Sequence, residues 1–315
     1  MSLSTDPAGA TPVRRAAPTR FRVLRALGGA GLAIQTAAAL LALTVLAAIL
    51  APVIAPSDPY DLAAIDLFDA LKPPAWLPDG DLRMPLGSDD QGRDMASVML
   101  YGTRMSLFIA TVATLLSVVL GVGIGLAAGY AGGWLDTVLM RLADAQMAFP
   151  AILLALLIDG LAIAAWGPGQ HAEISILVLI FAIGLSHWVP FARTVRGSML
   201  VEKEKDYVLA ARISGVPTRR ILLRHILPNV IGPVVVIGTL TLALSIITEA
   251  TLSFLGVGLP PTEPSLGTMV RTGSGYLYSG EWWMATLPAI ALAVIILSAN
   301  LFGDWLRDVL NPKLS

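Results

Sequence analysis

Residues 105–135 read MSLFIATVATLLSVVLGVGIGLAAGYAGGWL, thirty-one consecutive positions without a charged side chain. The hydrocarbon core of a bilayer is about 30 Å thick, and roughly 20 helical residues cross it. A soluble protein seldom contains so long an uncharged segment, because part of every surface helix must face water. This stretch therefore predicts a helix that spans a membrane.

The composition of the whole chain agrees with that prediction. Of its 315 residues, 56% are apolar and 14% are charged, whereas about 25% of the residues of a soluble domain are charged. The apolar content excludes intrinsic disorder, and a net charge of −1 provides no basic field for nucleic acid. The absence of cysteine excludes disulfides and thiolate metal sites. The sequence predicts an all-α integral membrane protein.

Charge-free segments define the expected spans. Five are long enough alone: Ile34–Ile54, Met105–Leu135, Ile174–Ala192, Ile226–Thr248 and Trp282–Gly303. A sixth, Val138–Ile158, reaches spanning length only if it includes Arg141 and Asp144, which are three residues apart and can pair on one helix face. We expect six spans, because an odd number would place the termini on opposite sides, against the charge distribution.

Basic side chains predict the orientation, since Lys and Arg are enriched in cytoplasmic loops. In a six-span arrangement, 16 of the 21 basic residues lie on the side of the two termini, so both termini are expected in the cytoplasm. The predicted order is a basic tail (1–33), span one (34–54), an external loop (55–104), a membrane domain of spans two to six (105–308) and a short tail (309–315). The membrane domain contains a cytoplasmic segment, 193–228.

No pattern typical of a catalytic or metal site is present. His171, His187 and His225 have no metal-ligand spacing, and the chain has no GxSxG, HExxH or Walker A sequence. Glycines recur at every fourth position from Gly121 to Gly129, inside the uncharged segment 105–135. We interpret them as helix-packing positions rather than a phosphate-binding loop. The chain is predicted to contain neither catalytic residues nor a metal site.

The cytoplasmic segment between spans four and five is the most informative. Arg193–Arg224 carries eight basic and three acidic residues. Within it, Asp206–Gly215 reads DYVLAARISG, which predicts a short helix ended by glycine, and Thr218–Ile226 predicts a second helical piece. Ala210 and Ala211 leave one side thin enough for a groove in a partner. A solvated basic loop that only sets topology is equally compatible with these residues.

A resemblance separates these two interpretations. Leu209-Ala-Ala, Gly215 and His225-Ile-Leu-Pro228 resemble the EAA loop of ABC importer permeases, although Leu209 stands where the motif has glutamate. In that family the loop forms a coupling helix that docks on a cytoplasmic ATPase. The coupling residues implied here are Lys205, Asp206, Tyr207, Ala210, Ala211, Arg212, Gly215, His225 and Pro228.

Three further segments resemble the dipeptide and oligopeptide branch of that family. They are Leu86–Leu107, Glu249–Gly267 and Asn300–Pro312, and the last resembles the second, C-type permease of the pair. Within the first, Ser88 and Gln91 also fit an S-x-x-Q capping box. The resemblance runs from about residue 34 to the end of the chain.

The resemblance implies a type I ABC importer fold with six transmembrane helices and a coupling helix between spans four and five. It further implies the bacterial inner membrane, a second homologous permease, two ABC ATPases that hold ATP and Mg, and an external substrate-binding protein. Membrane lipid is a further expected partner. Neither a cofactor nor a nucleic acid is expected for this chain.

Glu249, Ser253 and Phe254 are expected at the translocation path or its gate. An ionisable side chain within a membrane span normally faces protein or water rather than lipid. The other interpretation of Glu249 is that its side chain caps the backbone where the helix breaks. The expected cargo is a peptide or similar small solute, with nickel chelates as an alternative. A secondary carrier and a non-transporting scaffold also remain open.

Overall fold

The computed structural model describes residues 27–61, 65–260 and 262–310, and the regular structure in these ranges is helical. The helices are α1 (Leu32–Ile54), α2 (Met95–Ala131), α3 (Gly133–Met147), α4 (Ala151–Ser186), α5 (Trp188–Glu202), α6 (Asp206–Ile213), α7 (Thr218–Arg220), α8 (Leu227–Phe254), α9 (Leu266–Ser274) and α10 (Trp283–Leu310). A π-helical turn, Ile221–Ile226, joins α7 to α8. The predicted basic tail lies largely outside the described residues, as does 311–315.

Five helical segments are long and apolar enough to cross a bilayer. The sixth predicted span is bent, because α3 and the first part of α4 together pass the same test but meet at 95°. The bend follows Pro150, which lacks an N–H and disfavours a helical conformation in the residue before it. The predicted span Val138–Ile158 therefore contains a sharp bend, and the count of six spans holds when the bent pair is taken as one span.

Two ion pairs hold α3 against α5. Arg193 pairs with Asp144, and Arg196 Nη2 lies 2.6 Å from Asp136 Oδ2. The predicted pairing of Asp144 with Arg141 is therefore wrong. The spacing of three residues permits the local pair, but the packing of α3 on α5 brings a different arginine to the carboxylate.

The helix α4 reverses direction at Gly167, whose φ of 75° and ψ of 163° are not helical. His171 Nε2 lies 2.9 Å from Asp159 Oδ1, and Ser186 Oγ donates to the carbonyl of Ala151 at 3.3 Å. A straight helix would separate Ala151 and Ser186 by about 50 Å, so these contacts require two antiparallel halves. The second half continues into α5 after a break at His187.

Glycines allow α2 and α5 to approach closely along much of their length. A Cβ at Gly125 would lie 2.6 Å from the carbonyl oxygen of Ala192, and one at Gly129 would lie 2.7 Å from Met199 Cβ. Gly121 meets Phe191 in the same way, whereas Gly123 faces open space. The predicted packing function of this glycine series is confirmed. Because α2 and α5 run in the same direction, their C-terminal ends lie together and support α6.

The predicted external loop between α1 and α2, called the outer loop below, is irregular and internally hydrogen-bonded. Asp89 Oδ1 accepts from the backbone N–H groups of Gln91 and Arg93, each at 2.9 Å. The predicted capping box at Ser88 and Gln91 is wrong, because α2 begins later and Asp94 Oδ2 caps it by accepting from Ser97 N at 2.8 Å. Ser88 instead bonds within the loop.

Candidate functional site

The helix α6 ends in a complete glycine-dependent cap. Gly215 has φ of 73°, the N–H of Gly215 donates to Arg212 O, and the N–H of Val216 donates to Ala211 O, each at 3.0 Å. These two bonds form a Schellman motif, which satisfies carbonyls left free at a helix end. The predicted end of the helix at Gly215 is confirmed. The chain then turns back toward the membrane with a fixed geometry.

Only a narrow face of α6 is buried. Val208 is fully buried in a cluster that includes Phe191, Met199 and Ile226. On the other faces Leu209 is exposed, and the exposed fraction of Ile213 is 88%. Leu209 and Ile213 are four residues apart and therefore lie on the same face of α6. The arrangement leaves most of the surface of α6 exposed.

A hydrogen-bond network joins the start of α6 to the base of α8. Glu202 accepts from Lys205 Nζ and from Tyr207 Oη, both at 2.5 Å. Asn229 Nδ2 donates to Tyr207 Oη at 2.9 Å and to the carbonyl of His225 at 3.0 Å. The bond from Lys205, together with that from Tyr207, lowers the pKa of Glu202, so the carboxylate stays ionised.

The inner end of α2 forms a second attachment for α6. The guanidinium of Arg212 lies 5.2 Å from the centroid of the Tyr130 ring, within cation–π range. Tyr130 Oη lies 3.1 Å from Thr218 Oγ1, and Lys203 Nζ donates to Gly129 O at 3.1 Å. The short helix is thus attached to α2, α5 and α8 rather than suspended in a loose loop.

The π-helical turn lies between α6 and the fifth span. Its closing bond runs from Leu227 N to Leu222 O, five residues back. Pro228 follows and has no N–H to donate, which removes one ordinary helical bond at this point. His225 is half-buried, and its Nδ1 lies 3.2 Å from the carbonyl oxygen of Arg220. π-Helical turns within helices are frequent at functional sites.

The structure brings together most of the sequence-predicted coupling residues. Those in or beside the network and the cap are Lys205, Tyr207, Ala211, Arg212, Gly215, His225 and Pro228, while Asp206 and Ala210 lie on exposed parts of α6. Glu202 and Asn229 were missed by sequence reasoning. The spacing of Glu202 and Lys205 is a local signal for the first, whereas the position of Asn229 depends on the fold.

The second predicted group lies at the opposite end of α8. Glu249 is fully buried, and Ser253 Oγ donates to its Oε1 at 2.8 Å. Ser106 and Ser265 lie beside the carboxyl, while Oε2 has no hydrogen-bond partner among the described residues. Phe254 is exposed. Glu249 therefore joins α2, α8 and α9, and the path or gate role stays a prediction.

Comparison with known proteins identifies relatives along most of the chain. Residues 121–315 match the family described as binding-protein-dependent transport system inner membrane component. The dipeptide transport system permease protein DppC of Haemophilus influenzae is 37% identical and covers 85% of this chain and 86% of its own length. A putative peptide transport system permease protein of Brucella suis is 44% identical over 87% of this chain and 86% of its own length.

Two further comparisons concern a more distant relative and the fold. The oligopeptide transport system permease protein OppC of Bacillus subtilis is 36% identical over 87% of this chain and 84% of its own. Among solved structures, a chain of the MetNI methionine ABC transporter in an inward facing conformation aligns with a TM-score of 0.53. That alignment covers 69% of this chain and 98% of the other at 19% identity, so it bears on the fold alone.

Proposed function

The chain belongs to the family of binding-protein-dependent transport system inner membrane components and is a multi-pass ABC importer permease, and from this premise we propose that it forms half of a translocation path for peptides. The observation that carries the substrate class is the similarity to relatives named as dipeptide and oligopeptide permeases over more than four fifths of both chains.

In our proposal, α6 is the element through which an ATPase moves this protein. Its exposed side, with Leu209 and Ile213, fits a groove on a cytoplasmic ABC ATPase, and its attachments to α2, α5 and α8 transmit movement of that ATPase to the spans. ATP and Mg are held by two such ATPases and not by this chain. Rigid-body movement then exposes the path to alternate sides of the membrane.

The proposed assembly places both termini in the cytoplasm of a bacterial cell and the chain in its inner membrane. A second homologous permease completes the path, lipid surrounds the spans, and an external binding protein delivers the peptide to the outer loops. Within this scheme, Glu249, Ser253 and Phe254 lie near the outer end of span five, where a gate is expected.

Co-purification tests the attachment to the ATPases. Ile213→Asp introduces a charge into the proposed contact at a side chain that is 88% exposed. We expect this variant to lose the co-purifying ATPases and ATP-dependent dipeptide uptake in proteoliposomes. Tyr278→Asp, at a fully exposed position between α9 and α10, is the control and should retain the ATPases. Peptide uptake by wild-type protein without ATP or an ATPase would overturn the proposal in favour of a secondary carrier.

A further inference from the structure

A large cavity opens among α1, α2, α8 and the outer loop. Its volume is about 700 Å³, within the range of sites for small molecules. Most of its lining is apolar, including Val45, Ile49, Phe108 and Ile246. The cavity lies apart from α6 and its network, and no residue of the coupling site lines it.

The polar groups of the cavity are concentrated near the outer end of α2. Arg104 and Tyr101 are one helical turn apart and line it together with Tyr60 of the outer loop. The rings of Tyr60 and Tyr101 pack edge to face, with centroids 5.5 Å apart. Arg104 is exposed and forms no ion pair among the described residues.

An acidic group lies on the other side of Tyr60. Tyr60 Oη donates to Glu263 Oε2 at 3.4 Å, and Glu263 is half-buried in the segment between α8 and α9. Burial, followed by the charge of Glu263, raises the pKa of Tyr60 to about 12, so the phenol remains a neutral donor. The cavity thus presents an exposed cation and an aromatic pair, and a carboxylate lies next to its lining, bonded to Tyr60.

This order of groups complements a short zwitterionic peptide. A guanidinium binds a carboxylate through two parallel hydrogen bonds, a carboxylate binds an ammonium group, and the apolar wall accommodates side chains. We propose that this cavity is a peptide subsite in which Arg104 binds the C-terminal carboxylate and Glu263, beside Tyr60, binds the N-terminal ammonium. The inference rests on the proposed function, since it gives residues and chemistry to the same cargo.

The carboxylate beside Tyr60 favours a peptide over the anionic headgroup of a lipid. A single cation over an apolar cavity suits either ligand, but Glu263 repels a second negative charge and attracts a positive one. The same reasoning predicts that a chemical block at either end of the peptide weakens binding. A blocked C-terminus loses its contact with Arg104, and a blocked N-terminus loses its contact with Glu263.

Photo-crosslinking tests peptide binding to the cavity directly, because the peptide is added without the binding protein that would otherwise select it. The complete permease–ATPase complex in nanodiscs is irradiated with a dipeptide carrying C-terminal benzoylphenylalanine, and Ala-Phe, Ala-Phe amide and N-acetyl-Ala-Phe compete. For wild-type protein we expect each blocked competitor to be weaker than Ala-Phe by about tenfold, as for loss of one charged hydrogen-bonded contact.

The two variants should respond to different blocks. Arg104→Gln should abolish discrimination against the amide and keep discrimination against the acetylated peptide, whereas Glu263→Gln should do the reverse. Arg104→Lys keeps the positive charge and should therefore retain part of the preference for Ala-Phe over its amide. Retained co-purification of the ATPases verifies that each variant is folded.

Three outcomes would overturn the subsite: unchanged discrimination in Arg104→Gln, a crosslink outside the cavity, or competition by phosphatidylglycerol but not by Ala-Phe. Absence of any crosslink in a wild-type complex that still imports peptide would also overturn it. A wild-type complex that imports no peptide when supplied with its binding protein and ATP would instead contradict the proposed function.

Discussion

At the scale of single residues, two glycines of α2 provide a matched pair. A Cβ at Gly125 would contact the Ala192 carbonyl and Val195, whereas one at Gly123 would contact nothing within 4 Å. Gly125→Ala should therefore lower the free energy of unfolding by about 1–3 kcal/mol through overpacking, while Gly123→Ala should be neutral or slightly stabilising. Thermal unfolding in detergent measures both, and equal shifts would contradict the close contact of α2 with α5.

Glu249 is the residue for which burial and charge give the strongest functional prediction. Its carboxyl is fully buried with one oxygen lacking a hydrogen-bond partner among the described residues. We expect Glu249→Gln to lower peptide uptake while the ATPases still co-purify, because the amide keeps the shape and removes the ionisable group. Tyr278→Phe, at a fully exposed ring outside the predicted gate, is the control and should keep normal uptake. Wild-type uptake by Glu249→Gln would exclude a path or gate role.

At the scale of elements, α6 depends on the backbone conformation of its last turn. A Cβ at Gly215 would meet nothing within 4 Å, so a substitution there is limited by the left-handed φ alone. Gly215→Val should cost about 1–2 kcal/mol locally and reduce both ATPase co-purification and coupled uptake. Gly215→Asn, which tolerates this conformation, should retain both, and membrane insertion should be normal in each.

The network around Tyr207 predicts a separation of ATPase binding from coupling. Tyr207→Phe removes the bond to Glu202 and the bond from Asn229, so α6 loses its link to the base of α8. We expect the ATPases to remain bound but the amount of peptide imported per ATP hydrolysed to fall several-fold. Tyr278→Phe, at a fully exposed ring, should leave that ratio unchanged. A normal ratio in Tyr207→Phe would show that this link carries no coupling.

Sequence patterns predict these elements unequally well. The end of α6 follows from Gly215 and Pro217 because both act through local backbone conformation. The 95° bend does not, since Pro150 marks a break but gives no angle, and the ion pair of Asp144 joins residues far apart in the chain. The cavity beside Arg104 could not be predicted for the same reason, because its lining comes from segments that only the packed fold brings together.

At the scale of the whole molecule, the absence of cysteine makes the orientation directly measurable. Single-cysteine variants at two exposed positions, Ser214→Cys beside α6 and Ser279→Cys between α9 and α10, should react from opposite sides of the membrane. In intact spheroplasts a membrane-impermeant maleimide should label Ser279→Cys at once and Ser214→Cys only after lysis. The opposite order would place α6 outside the cell and remove the basis for ATP-driven coupling.

The length of α2 has a consequence for how the transporter responds to the thickness of the surrounding bilayer. Its 37 residues extend about 55 Å, nearly twice the hydrocarbon thickness, and its inner end reaches α6 through Tyr130. The bilayer acts only on the portion of this stem that crosses it. We therefore expect the tilt of α2 to change in a thicker or thinner bilayer, because a different share of its length then crosses the hydrocarbon.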